Sequence, residues 1–213
     1  GLPGVGKTHL ANIVKNELLE CKYNINSVNL SIGSNNLYLR HLKKIKLIIN
    51  LFVLRPDLTS FIKFFLSDFK FYNLRSRFIV LYNWLFICSL ISRSKKNKYD
   101  IILMDQGISQ ALWSTMLRTL NNNCTTRNNF IMILNKLIKD LEIGDFLIIN
   151  LNAEIDLIKK RFFSRISMGT TDFKLDHIKT INNGLITIDE IIRIFNIISI
   201  KNDKIKILEY TNN

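Results

Sequence analysis

The chain has 213 residues, of which 47% are hydrophobic; this suits one folded domain and excludes a disordered chain. Lys and Arg number 30 against 17 Asp and Glu, so the formal net charge is +13. That excess suits nucleic acid or phosphate ligands, but AT-rich coding, which favours Lys, Asn, Ile and Phe, produces it without any partner. Cys21, Cys88 and Cys124 form no CxxC pair, which argues against a zinc site or a disulfide framework and indicates a reducing, cytoplasmic compartment.

The first elements begin inside a glycine-rich motif. Residues 1–8 read GLPGVGKT, and because the chain starts within the motif we expect a further segment upstream. Apolar residues at Leu10, Val14 and Leu18 predict a helix over 11–19. Residues 27–32 predict a short strand, and the cluster at 33–36 predicts a turn.

A long apolar and basic stretch at 37–92 predicts several helices, with a break at Arg55 and Pro56. Its most apolar part, 78–91, contains Asn83 and is shorter than the roughly 20 residues that a transmembrane helix requires. We therefore expect a buried helix there and no transmembrane span.

The second half of the chain alternates predicted strands and helices. Continuous apolar runs predict buried strands at 101–104 and 146–151, and a last strand is predicted at 204–209. The segments between them predict helices that end near 120, 141, 166 and 198, with Gly144 as the C-terminal cap of the second. The connecting loops are predicted at 94–98, 121–129 and 169–174. This alternation predicts an α/β domain with a parallel sheet.

The opening motif matches GxxxxGK[ST] at every fixed position. The backbone amides of such a loop, from Gly1, Gly4, Val5 and Gly6 onwards, would surround the phosphates of a nucleoside triphosphate. Lys7 would reach the β- and γ-phosphates, and the Thr8 hydroxyl would hold Mg²⁺. The alternative is a chance glycine-rich turn before a helix.

Asp105 ends the apolar run at 101–104, which is the position of a second Mg²⁺ ligand in such proteins; the alternative is a loop residue that caps the next helix. The sequence Asp105-Gln106-Gly107 lacks the DxxG motif of a GTPase. Gln106 also stands where a hydrolytic motor carries a Glu, and an amide cannot act as a general base. Phosphoryl transfer is therefore favoured over hydrolysis.

Arg161 and Arg165 lie four residues apart in a predicted basic helix, so they share one helix face. Together with the following loop they predict a lid over about 161–175, whose guanidinium groups would neutralise charge on the transferring phosphoryl group. The alternative is an ordinary solvated basic face.

These motifs in this order resemble the nucleoside and nucleotide kinase branch of P-loop proteins, broadly similar to thymidylate and adenylate kinases. The resemblance rests on GLPGVGKT, on IILMDQG followed by QALWS, and on DLIKKRFFSRISMG followed by TTDF. It implies one three-layer P-loop domain over 1–213 with a mainly parallel sheet of order like 2-3-1-4-5, its first strand truncated. It also implies a helical substrate-binding insert at about 37–95.

The resemblance further makes Gln106, Gln110, Trp113 and Arg77 candidates for the phosphate acceptor, against ordinary surface or core roles. The chain lacks the Asp-Arg-Tyr/His motif of thymidylate kinases and the Asp-Gly-Phe-Pro-Arg motif of adenylate kinases. The acceptor therefore stays open between a nucleotide, a nucleoside and a similar small molecule, with a nucleotide slightly favoured.

The sequence thus predicts an ATP- and Mg²⁺-dependent phosphotransferase whose partners are ATP and a small-molecule acceptor. The alternative is a nucleic-acid-associated or regulatory P-loop ATPase, which the net charge suggests. A non-catalytic remnant is a third, weaker interpretation. The oligomeric state stays open, a homodimer included.

Overall fold

The computed structural model describes residues 6–28, 37–55, 58–104, 107–119, 124–167 and 177–212. Within these ranges the chain forms eight α-helices and four β-strands. The helices are α1 (Lys7–Glu20), α2 (Leu37–Leu54), α3 (Thr59–Asp68), α4 (Leu74–Lys96), α5 (Ile108–Met116), α6 (Cys124–Asp140), α7 (Ile155–Ser167) and α8 (His177–Lys201). The strands are β1 (Ile25–Val28), β2 (Ile101–Met104), β3 (Phe146–Ala153) and β4 (Ile205–Asn212).

The chain groups into two compact units. The terminal unit comprises Gly1–Leu10 and Asp145–Asn213, and the central unit comprises Ala11–Gly144. The statement that residues 1–213 form one domain stays a prediction.

The four strands form two separate parallel pairs. In the central unit β1 pairs with β2, and Ile25 lies opposite Ile101. In the terminal unit β3 pairs with β4 over eight residues, and Phe146 lies opposite Ile205. Both pairs are joined through helices along the chain, as parallel strands require.

The predicted three-layer P-loop fold is wrong for the part of the chain that the structure describes. This part is mainly helical, and its strands form two two-stranded sheets instead of one five-stranded sheet. An order of 2-3-1-4-5 needs a central strand whose backbone groups bond to a neighbour on each side. Among the described residues no strand pairs with both β2 and β3.

The stretch after β1 does fold as several helices, α2, α3 and α4, as its apolar pattern predicts. Three local predictions differ from the structure. Helix α4 continues to Lys96 through the predicted basic loop, and α6 begins at Cys124 inside the predicted Asn/Thr-rich loop. The sequence also predicts a weak point at 182–184 in the last helix, but α8 runs unbroken past Gly184, because one isolated glycine lowers helix stability by only about 1 kcal/mol.

Aromatic side chains form the core of the central unit. Phe61 and Phe65 of α3 pack against the ring of Trp84 of α4, with centroids 6.1 and 6.4 Å away, and all three are fully buried. The indole Nε1 of Trp84 donates to the Thr115 hydroxyl at 2.9 Å, and that hydroxyl donates to the Ala111 carbonyl at 2.7 Å. The only polar group of the Trp84 side chain therefore has an acceptor inside the core.

Helix α4 is, of the described helices, the one long and apolar enough to cross a bilayer. More than half of its most apolar window is buried inside the protein, where it packs on α2 and α5. This burial agrees with the prediction of a buried helix and of no transmembrane span there.

The core of the terminal unit lies between α8 and the β3–β4 sheet. Ile194, Phe195 and Ile198 of α8 are buried, and the ring of Phe195 lies 6.2 Å from that of Phe146. Ile205, opposite Phe146, is buried as well. The apolar face of α8 thus covers one face of this sheet.

Three helices end in the same way before a strand. In the described residues Lys22, Lys98 and Glu142 have positive φ, of 63°, 55° and 47°, after α1, α4 and α6. At each end the residue after the left-handed one donates its amide to a carbonyl five residues earlier, as Ile143 does to Ile138 at 2.9 Å. This is a Schellman motif, which usually carries glycine at the left-handed position.

The predicted cap at Gly144 is therefore wrong. The left-handed residue that ends α6 is Glu142, two positions earlier, and Gly144 has no positive φ. The chain has only 8 glycines, and these helix ends use charged residues where glycine is usual.

Candidate functional site

The end of the glycine-rich motif lies at the first turn of α1. Gly6 has a φ of 100°, a backbone conformation that side chains rarely adopt. Its carbonyl accepts the Leu10 amide at 3.1 Å, so Gly6 is the residue that starts the helix at Lys7. The motif predicts a helix that begins at about Lys7, and the structure has α1 from that residue.

The start of α1 is the positive end of the helix dipole, as in any helix. The first turn contains no acidic residue, so no carboxylate of that turn neutralises the positive end of the helix dipole. Lys7 is half-buried and Thr8 is exposed. Backbone amides in the first turn of a helix have no carbonyl partner within that helix, which is why phosphates bind at such ends.

Several predicted site residues lie outside the described residues. These are Gly1, Gly4 and Val5 of the loop and Asp105 and Gln106 after β2. Within the described ranges no group of three or more His, Cys, Asp or Glu could hold a metal ion. The Mg²⁺ ligands Thr8 and Asp105 therefore stay a prediction.

The predicted lid arginines belong to α7. Arg161 is half-buried, and Arg165 follows four residues later on the same helix, though its side chain lies outside what the structure describes. The lid residues from 168 lie outside the described ranges too. Lys7, Thr8 and α7 belong to the same terminal unit, whereas Gln110 and Arg77 belong to the central unit.

Gln110 occupies the first turn of α5. Its backbone N–H donates to the Gly107 carbonyl at 3.0 Å. Gln110 is half-buried, and so is Trp113 one turn later. A Cβ at Gly107 would lie 3.2 Å from the Cβ of Met104, so a glycine lets α5 begin close to the end of β2. Substrate binding by Gln110 stays a prediction.

Arg77 makes a hydrogen bond that joins two helices. Its guanidinium, at a half-buried position in the first turn of α4, donates to the Leu66 carbonyl in the last turn of α3. Leu66 is among the last residues of α3, whose carbonyls lack partners within the helix. This bond supports the ordinary reading of Arg77, as a residue that joins two helices, beside the predicted role in acceptor binding.

Two further cations, Lys95 and Arg55, cap the C-terminal end of α6, and no sequence pattern connects them with that helix. The Lys95 ammonium lies 3.2 and 3.0 Å from the carbonyls of Leu141 and Glu142, and the Arg55 guanidinium donates to the Asp140 carbonyl. Both stabilise the negative end of α6. Basic residues at helix ends are a general signal, but their partners here are far away in the sequence.

Two titratable groups are perturbed by burial. Burial raises the pKa of the Cys88 thiol to about 12, so this cysteine is protonated at neutral pH and unsuited to nucleophilic chemistry. Partial burial also raises the pKa of Tyr82, whose hydroxyl lies 3.3 Å from Nδ1 of His41. Both groups lie on α4, which carries Arg77 but not the predicted ATP-binding loop.

Comparison with known proteins gives no relative. No protein family, no curated protein and no solved structure matches the chain.

Proposed function

We propose that the N-terminus of α1 binds the phosphates of ATP and that the protein transfers the terminal phosphoryl group to a small molecule. The observation that supports this most is Gly6, with its left-handed backbone directly before the helix that begins at Lys7. It stands at the end of the complete GLPGVGKT motif.

The chemistry of the residues favours transfer over hydrolysis. Gln106 offers no base to activate water, while Arg161 and Arg165 provide two permanent cations on one helix. Guanidinium groups stabilise the charge of a transferring phosphoryl group without exchanging protons. Mg²⁺ held by Thr8 and Asp105 would neutralise the donor phosphates.

A transfer assay with labelled ATP and a panel of nucleosides and nucleotides tests the proposal. Lys7→Ala should lower transfer by at least about a hundredfold, because it removes the cation nearest the reacting phosphates. Lys15→Ala, in the same helix two turns later, is the matched control and should leave transfer unchanged.

Three results would contradict the proposal: the full-length protein transfers to no acceptor, Lys7→Ala stays active, or both lysine variants lose activity equally. Steady ATP hydrolysis that nucleic acid stimulates would instead support the alternative ATPase.

A further inference from the structure

Helix α2 has two apolar faces, and among the described residues one of them packs on α4 while the other is exposed. The packed face carries Leu51, which is fully buried, and rests on α4. The opposite face carries a row of exposed apolar side chains at spacings of three and four residues, which we call the α2 stripe: Tyr38, Leu42, Ile45, Ile49 and Val53. At 100° per residue, Leu42 and Ile49 lie about half a helix turn from Leu51.

The exposure of this stripe is large and continuous. Ile49 is 58% exposed and Val53 is 77% exposed, and the row spans about 22 Å of helix. Single exposed apolar residues are common on protein surfaces, but a row of five along one helix marks an interaction surface.

Two further exposed apolar residues lie at the start of α4. His41 of α2 lies 3.3 Å from Tyr82 of α4, and the Lys44 ammonium lies 4.7 Å from the ring centroid of Phe86. Leu74 and Phe78, in the first two turns of α4, are exposed as well.

The charge beside the stripe has a single sign. Exposed Lys43 and Lys46 both lie on one side of it on α2, and neither α2 nor α4 contains an Asp or Glu. The two helices together carry cations at Arg40, Lys43, Lys44, Lys46, Arg75, Arg77, Arg93, Lys95 and Lys96. An occupant of this surface should therefore be apolar where it meets the stripe and negatively charged beside it.

We propose that the α2 stripe binds the surface of an anionic lipid bilayer, with α2 lying in the plane of the interface. Aliphatic side chains of such a helix enter the acyl region while flanking lysines meet the lipid phosphates. A second copy of the chain is disfavoured because pairing two stripes would bring Lys43 and Lys46 of both copies close together. Nucleic acid is disfavoured because the stripe is mostly aliphatic, whereas strand-binding surfaces offer aromatic side chains to the bases.

Vesicle flotation of the full chain tests the proposal. We expect binding to phosphatidylcholine vesicles that contain a third phosphatidylserine, and much weaker binding to phosphatidylcholine alone or in high salt. Replacing both Ile45 and Ile49 by Ser should weaken binding at least about tenfold, because two apolar side chains no longer leave water. The matched control replaces Ile186 and Ile200 of α8, exposed by 65% and 85%, by Ser and should bind as the wild type does.

A second pair of variants isolates the charge. Lys43→Glu with Lys46→Glu should weaken binding at least about twentyfold, since each lysine near an anionic surface contributes about fivefold. Lys204→Glu with Lys206→Glu changes the net charge equally on β4 and the turn before it, and it should have a small effect. Far-UV circular dichroism of all variants identifies any that fail to fold.

A dye label reports the location of the contact directly. An environment-sensitive dye is attached to Ile49→Cys in a background with Cys21→Ser and Cys124→Ser. Its emission should shift to the blue when anionic vesicles are added, whereas the emission of the same dye on Ile186→Cys should not. Cys88 does not compete for the dye, because it is buried and its pKa is raised to about 12. Since this readout needs no change to the lysines or to the other stripe residues, it keeps the test valid if the serine variant misfolds.

Three results would overturn the proposal. The first is no binding to anionic vesicles together with no shift of the Ile49→Cys label. The second is equal binding by the α2 and α8 serine variants. The third is a concentration-dependent dimer that the α2 serine variant abolishes, without vesicle binding, which would assign the stripe to a second copy.

Discussion

The helix ends offer the sharpest test of the structure, because Lys22 and Lys98 occupy backbone positions that glycine would fill at lower energy. A left-handed conformation disfavours a residue with a Cβ by about 1–2 kcal/mol. Glycine loses more backbone freedom on folding, which offsets about 0.5–1 kcal/mol of that gain. We therefore expect Lys22→Gly and Lys98→Gly each to raise the free energy of unfolding by about 0.5–1 kcal/mol.

The end of α6 gives a built-in contrast. Glu142 is also left-handed, but its carboxylate lies 2.8 Å from the Lys95 ammonium and its side chain is 76% exposed. An exposed ion pair of this kind contributes about 0–1 kcal/mol, so Glu142→Gly should change stability little. Gly144 has no positive φ and has open space where a Cβ would stand, so Gly144→Ala should stabilise by about 0.4–1 kcal/mol.

Urea unfolding of the wild type and these four variants, followed by circular dichroism, measures each effect. The slope against urea should stay the same, so that the midpoint reports stability directly. A loss of stability in Lys98→Gly, or a loss of about 1 kcal/mol in Gly144→Ala, would refute the reasoning. The second result would mean that Gly144, and not Glu142, is the left-handed residue.

Two further predictions concern the buried polar groups of the central unit. Thr115→Val leaves the Trp84 indole N–H without its acceptor and should lower the free energy of unfolding by about 1–3 kcal/mol. In the Thr115→Val background, Trp84→Phe should then lower the free energy of unfolding by about 1 kcal/mol less than it does in the wild type. Equal losses in the two backgrounds would contradict the hydrogen bond. For Cys88 the folded pKa of about 12 exceeds the ordinary thiol pKa of 9.0, so its contribution to stability is complete below about pH 9 and is lost as pH rises towards 12. Between neutral pH and about pH 10 the free energy of unfolding of Cys88→Ala should therefore fall by about 1 kcal/mol less than that of the wild type, measured by urea unfolding. Parallel losses would show that the thiol is solvated.

The elements that the sequence predicted well are those with a strong local pattern. Residues 101–104 form β2 at the predicted place, because a continuous apolar run bounded by polar residues suits a parallel strand. The prediction that this strand is buried is wrong, because all four of its residues are half-buried. The helices at 37–92 follow from a long apolar and basic stretch. The errors at Lys96, Cys124 and Gly144 all concern ends, which depend on hydrogen bonds with only a small local preference.

The candidate site shows the same division. The motif at 1–8 predicts a helix directly after the glycines, and the structure has α1 from Lys7. The capping bonds of Arg77 and Lys95 could not be predicted, because each cation meets a carbonyl of another helix. The exposure of the α2 stripe could not be predicted either, because both faces of α2 are apolar and the pattern does not say which one packs.

The sequence by itself thus determined the places where the chain is helical or extended and the glycine-to-helix transition at Gly6 and Lys7. Those features depend on side chains a few residues apart, and hydrophobic periodicity and glycine preferences report such short-range physics. Only the tertiary structure decided how the strands pair, which face of α2 is buried, and that Glu142 ends α6. Strand pairing and burial depend on contacts between residues far apart in the sequence. The resemblance to P-loop kinases implied one five-stranded sheet, whereas the described residues form two pairs.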